Sequence, residues 1–128
     1  MQIGLKLNKY RSGLEERVAK QLQDLKVLFQ YETLKINYKK PEKIAYYRPD
    51  FILPNGIIIE AKGQFLSQDR KKHKLIREQH KDKYDIRFVF SNFNTRIGKK
   101  SQTTYAMWCE KFGFKFSNVT IPDSWINE

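Results

Sequence analysis

Cysteine is nearly absent from this chain: Cys109 stands alone, so no disulfide can close within it. His73 and His80 are the only histidines, and three such residues cannot make a four-ligand zinc centre of cysteine and histidine. Any metal must therefore be held mainly by oxygen. Long apolar runs are missing too. Nothing approaches the roughly 20 residues of a membrane span, and Met1 to Tyr10 lacks the apolar stretch of a secretory leader. The expectation is a cytoplasmic protein with no membrane partner. Internal repeats and low-complexity segments are absent as well. Acidic residues are in deficit, 14 against 25 Lys and Arg, and the net charge of +11 draws the chain to polyanions, nucleic acid first and anionic membrane second. Hydrophobic residues still make up 40%, enough to fold, and the 128 residues fit a single domain, 1–128.

Leu14, Val18, Leu22 and Leu25 recur at helical spacing between Ser12 and about Lys26. Phe29 to Ile36 is rich in aromatic and β-branched residues and reads as a first strand. Asn37 to Tyr46 mixes lysines with Pro41 and reads as a connector or an edge, because proline argues against a central strand. Ser67 to about Lys81 is helix-like, with Ser67 as a cap and only Leu75 and Ile76 clearly apolar. Its surface is densely basic: Arg70, Lys71, Lys72, Lys74 and Arg77 are expected to meet DNA phosphates, with His73 among them. Ile86 to Phe90 reads as a strand, and Asn92 to Gln102 as a mobile basic loop carrying Lys99 and Lys100, two further DNA contacts. Tyr105, Trp108, Cys109 and Phe112 share helical spacing, Gly113 caps that helix, and Cys109 reads as core, not nucleophile. Phe114 to Phe116 suggests a short strand, and Pro122 to Ile126 a terminal turn packing Trp125.

The strongest local signal is Pro54-Asn55-Gly56 between Phe51-Ile52-Leu53 and Ile57-Ile58-Ile59, a β-hairpin. A two-residue Asn55-Gly56 loop would pair Asp50 with Ala61. A three-residue loop, with Pro54 and Asn55 in a type I turn and Gly56 left-handed at a bulge, pairs Leu53 with Ile57 and hence Asp50 with Glu60. Proline has the φ for the first central position and glycine tolerates the left-handed one, so the turn chemistry favours the second register. Glu60 and Lys62, two apart on a strand, then share one face with Asp50, while Ile59 and Ala61 turn to the other.

Pro49-Asp50, a turn, then Glu60-Ala61-Lys62 is the layout of a PD-(D/E)xK nuclease site. Phosphodiester cleavage needs oxygen ligands for a hard cation and an ammonium near the attacking water. In that reading Asp50 bridges one or two Mg²⁺ ions, Glu60 and the Ala61 carbonyl ligate one of them, and Lys62 orients or deprotonates water. The bland alternative is an ordinary salt bridge between Lys62 and a carboxylate. Glu15 stays open between a metal ligand and the reciprocal half of a capping box begun by Ser12. Tyr46 and Tyr47 read as packing residues.

Several further blocks carry a resemblance: Arg11-Ser12-Gly13-Leu14-Glu15, Asp69-Arg70-Lys71-Lys72-His73, Leu75-Ile76-Arg77-Glu78-Gln79-His80 and Ile121-Pro122. Together with the site blocks, and in this order, they resemble the endonuclease I family of T-seven-like phages, Holliday-junction-resolving enzymes. The resemblance implies an α/β fold, a restriction-endonuclease-like mixed sheet flanked by helices. It implies a catalytic set of Glu15, Asp50, Glu60 and Lys62, with Mg²⁺ as cofactor and Mn²⁺ able to substitute. It also implies a domain-swapped homodimer in which about residues 12–36 are exchanged, about 38–45 form the bridge, and Glu15 completes the partner's site. The expected activity is metal-dependent, structure-selective cleavage of four-way junctions and branched DNA, leaving 5′-phosphates, in the host cytoplasm if the gene is a phage's. The competing readings are a sequence-specific restriction-type or transposon-end nuclease, and a non-catalytic branched-DNA-binding protein. Ala61 stands where the family has a hydroxyl residue, and a ligand acting through its carbonyl should survive that change.

Overall fold

The computed structural model describes residues 10–40, 42–80 and 83–128. Helix α1, Gly13–Asp24, begins where its cap chemistry requires, with the Ser12 hydroxyl accepting from the Glu15 amide at 3.0 Å. Its buried stripe is Leu14, Val18, Ala19 and Leu22. Leu25, expected on that stripe, is the C-cap and is exposed, because Lys26 takes a left-handed φ of 56° and turns the chain away.

The expected strand over 29–36 is interrupted. β1 covers only Gln30–Tyr31, after which Glu32 adopts φ 54° and the chain leaves the sheet. β2, Ile36–Lys40, then pairs antiparallel with β3, Lys43–Tyr47, in a separate two-stranded sheet. The segment read as a connector is thus mostly this hairpin. Ile36, Tyr38 and Tyr47 turn inward onto Ile58, Ile76 and Ile86, while Lys39 lies on the outer face and Lys40 and Lys43 pair, exposed, at the hairpin's end. Pro41 and Lys81, which figured in the sequence reading, fall outside the described residues.

The main sheet runs β1-β4-β5-β6-β7, where β4 is Phe51–Ile52, β5 Ile58–Lys62, β6 Ile86–Phe90 and β7 Phe116–Asn118. β1, β4 and β5 are antiparallel neighbours, and β5, β6 and β7 are parallel. Parallel neighbours need crossovers, supplied by α2, Ser67–His80, and α3, Tyr105–Phe112. The expected mixed α/β sheet flanked by helices is therefore present. β7 starts two residues later than the aromatic pattern suggested. Gly113, at φ 81°, closes α3, and the Phe114 amide still bonds the Cys109 carbonyl at 2.9 Å.

Alternation along β5 and β6 divides the core into two layers. Ile59, Ala61 and Val89 face α1 and Trp125 of the short α4, Asp123–Ile126. Ile58, Phe88 and Phe90 face the other way, onto the side covered by α2 and α3, where Phe65, Ile76, Trp108 and Phe114 are buried. Arg87, on the first face, is only 1% exposed, paired with Asp85 and Glu128 and lying 5.2 Å from the Trp125 ring centroid. Among the described residues no helix is long and apolar enough to cross a membrane.

Candidate active site

The β4–β5 hairpin has the bulged three-residue turn. Leu53 donates to the Ile57 carbonyl and Gly56 to the Leu53 carbonyl, both at 2.9 Å, and Gly56 sits at φ 90°. Phe51 faces Ile59 and Ile52 faces Ile58, so the next position outward sets Asp50 against Glu60. Asn55 fastens the turn from both sides, accepting from the Ile57 amide at 3.1 Å and donating to the Trp125 carbonyl at 2.8 Å.

Beyond the last β4 pair, a side chain takes over the ladder's role: the Ala61 amide donates to Asp50 Oδ2 at 2.9 Å. A strand residue's N–H and C=O leave on the same side, so the Ala61 carbonyl is directed to this side as well. Glu60 Oε2 accepts from the Tyr47 hydroxyl at 2.6 Å and from the Asp50 amide at 3.4 Å. Lys62 Nζ lies 3.7 Å from Glu60 Oε1 and 3.5 Å from Asp69 Oδ1. Glu15 arrives from α1 of the same chain, its Oε1 accepting from the Arg11 amide at 3.0 Å and the Tyr31 hydroxyl at 2.5 Å. The capping box is thus half made, since Glu15 reaches past the Ser12 amide to that of Arg11. Glu15, Asp50, Glu60, Ala61, Lys62 and Lys72 line one cavity of about 350 Å³.

Burial sets the electrostatics. Asp50 is 8% exposed, and its carboxyl is pushed up to about 9, first by burial and then by the charges of Glu60 and Glu15. Burial also raises Glu60, against the opposing pull of Lys62 and Tyr47. For Lys62, burial works against the ammonium, but Glu60, Asp69 and Asp50 outweigh it and hold the pKa above its ordinary value. In the metal-free chain these neighbours hold Lys62 as an ammonium. Tyr31 and Tyr47 are both raised by burial and by their carboxylate partners, and stay protonated as donors.

This donor set fits a hard divalent cation. Acidic oxygens are crowded where burial already disfavours their charge, and all the candidate ligands are oxygen. Glu32, absent from the sequence reading, joins them: Glu15, Glu32 and Asp50 each offer an oxygen within 4.8 Å of the others. Glu32 also pairs with Arg11 at 3.2 Å. Only the fold brings Glu32 here, because its left-handed backbone breaks the strand that would have carried it elsewhere. Tyr31, Tyr47 and Asp69 were likewise missed as site residues. Tyr47 is buried as expected of packing, whereas Tyr46 is exposed with Lys35 over its ring.

The basic helix does not act as one face. Lys72 reaches the cavity across the Tyr47 ring, and Lys71, Lys99 and Lys100 are exposed. Arg70 is engaged by the Phe65 carbonyl, while Lys74 and Arg77 lie over Phe112 and Phe114 beside a separate cavity. His73, expected among the phosphate contacts, is 0% exposed and wedged edge-on against Tyr47 and Phe88, each 4.9 Å away. It shares the inward face of α2 with Ile76, three residues on, and burial drives its pKa well below the ordinary value. It cannot touch a phosphate. Cys109 is buried in the second core layer.

Comparison with known proteins bears on this site directly. The family described as phage endonuclease I matches over residues 2–128. Endonuclease I of Escherichia phage T7 is 50% identical over 123 residues, covering 96% of this chain and 82% of that protein. Endodeoxyribonuclease 1 of Enterobacteria phage T3 is 50% identical over 119 residues, covering 93% of this chain and 78% of its own length.

Proposed function

The chain belongs to the phage endonuclease I family, and from that premise we propose that it is a metal-dependent, structure-selective DNA endonuclease that resolves four-way junctions and branched DNA. The observation that carries this reading is the meeting of Asp50, Glu60 and Lys62 across the bulged hairpin in one cavity. Asp50, Glu60, Glu15 and the Ala61 carbonyl would hold Mg²⁺, or Mn²⁺ in its place. An ion bound there supplies a water of lowered pKa and offsets the charge that builds on the phosphate during attack.

The protein's own groups do the rest. The hairpin register sets Asp50 and Glu60 face to face, so their oxygens need no large rearrangement when substrate arrives. Lys62, fixed between Glu60 and Asp69, presents its ammonium to the attacking water or to a non-bridging phosphate oxygen. Lys72 extends the positive wall of the cavity, and Lys71, Lys99 and Lys100 offer exposed charge for neighbouring phosphates. Arg70, Lys74 and Arg77 add to the field while engaged with carbonyl or ring. Departure of the 3′ oxygen leaves a 5′-phosphate.

The same reading takes the protein as a homodimer that exchanges about residues 12–36 and works in the cytoplasm of a phage host. What supports exchange is the connectivity. α1 and β1 join the rest only through the β2–β3 hairpin, so opening it would let an identical α1–β1 unit dock from a second chain with the same contacts. The function is tested with Asp50→Ala, which should bind a four-way junction in gel shift yet fail to cut it in Mg²⁺. Cutting by that variant refutes the site assignment.

A further inference from the structure

We propose that Tyr31 and Tyr47 are positioning residues of the cleavage site, each phenol pinning one oxygen of an acidic side chain so that the other oxygen is left for a divalent cation. The inference rests on the function proposed above and assigns two residues that the motif does not contain. Three carboxylates follow one pattern. Glu15 gives Oε1 to the Tyr31 hydroxyl and the Arg11 amide. Glu60 gives Oε2 to the Tyr47 hydroxyl and the Asp50 amide, and its Oε1 is the atom facing Lys62 at 3.7 Å. Asp50 gives Oδ2 to the Ala61 amide. In each case the donors converge on one oxygen and leave the other uncommitted by these bonds.

The chemistry explains why a donor is needed. The terminal torsion of a glutamate is broad and nearly two-fold, so an unanchored carboxylate spreads its oxygens over many directions. One short hydrogen bond to a rigid phenol removes that freedom. It also gives the anion a charge-assisted bond from a neutral donor.

The phenols are themselves immobilised by aromatic neighbours. Tyr47 stands edge-on to His73 at 4.9 Å, and His73 is backed by Phe88 at the same distance. Tyr31 stands edge-on to Tyr10 at 4.6 Å and beside Phe51 at 5.3 Å. His73, whose ring nitrogens have no partner within the described residues, thereby acts as an aromatic wall.

Groups behind metal ligands are worth about 10–100-fold in metal affinity, which sets the expected effect. The experiment uses Tyr31→Phe and Tyr47→Phe in the full chain, each removing one hydroxyl and keeping the ring. Ca²⁺ is titrated calorimetrically, and junction cleavage is measured against Mg²⁺ concentration. Each variant should show a Ca²⁺ Kd raised about 10-fold, a parallel rise in the Mg²⁺ needed for half-maximal rate, and recovery of rate at saturating Mg²⁺. Junction binding in EDTA should be unchanged. The two variants probe separate clamps, so misfolding of one leaves the other to decide. Wild-type Ca²⁺ affinity in a folded variant overturns the proposal for that tyrosine. A wild-type chain that neither binds Ca²⁺ nor cuts junctions in Mg²⁺ overturns the function itself, so the two failures are distinct.

Discussion

Replacing Asp50 by asparagine should kill cleavage and yet stabilise the protein when no metal is present. The carboxyl is 8% exposed beside Glu60 and Glu15, and it is raised from an ordinary 3.8 to about 9. A carboxyl whose pKa is higher in the folded state than in the unfolded one contributes stability at low pH. That contribution is lost as pH rises through the folded value, so the window lies between 3.8 and about 9. At pH 7 roughly three pH units of that window have been crossed, at about 1.4 kcal/mol each, which puts the cost of the ionisable group at up to about 4 kcal/mol. Asparagine can still accept from the Ala61 amide but carries no charge to desolvate. Differential scanning calorimetry in EDTA should therefore find Asp50→Asn melting up to about 15 °C above wild type near pH 7, converging with it near pH 4. Adding Mg²⁺ should raise the wild-type Tm by mass action and leave the variant unmoved. A variant less stable than wild type in EDTA at neutral pH would refute the electrostatic reasoning, and so would a Tm difference between the two that does not widen as pH rises from about 4 to 7.

Mixed dimers test exchange: chains carrying Glu15→Ala co-expressed with chains carrying Asp50→Ala should regain nicking, because one composite site per dimer is then intact. If each site is built within one chain, the mixture stays dead. Gly56→Val forces a β-branched residue to φ 90° at the bulge, and denaturant unfolding should read a loss of about 1–3 kcal/mol; an unchanged midpoint would show that the turn does not need its glycine. Cys109, fully buried with its thiol pushed up to about 12, should resist a thiol reagent in the native chain and react on unfolding, and rapid native labelling would contradict its burial.

What could be read in the sequence was local. Pro54, Asn55 and Gly56 specify a turn through their own backbone preferences, and the turn fixes the register that sets Asp50 against Glu60. Ser12 and Gly113 mark helix ends for the same reason. What could not be read was tertiary. The β2–β3 hairpin was hidden because exposed lysines crowd its end and Pro41 argues against a strand. His73 sits in a run of cations, and only its spacing to Ile76 hints that it turns inward. Glu32, Tyr31 and Tyr47 reach the site through a left-handed residue and a two-sheet arrangement that no spacing rule encodes.

The central claim is metal-dependent cutting of branched DNA at the Asp50–Glu60–Lys62 site. It is tested most directly by one gel assay of a four-way junction against linear duplex of matched sequence, in Mg²⁺, in Ca²⁺ and in EDTA. The prediction is symmetric cutting of the junction in Mg²⁺, 5′-phosphate ends, little cutting of duplex, and none in EDTA. Equal cutting of duplex, or junction cutting that persists in EDTA, would contradict it.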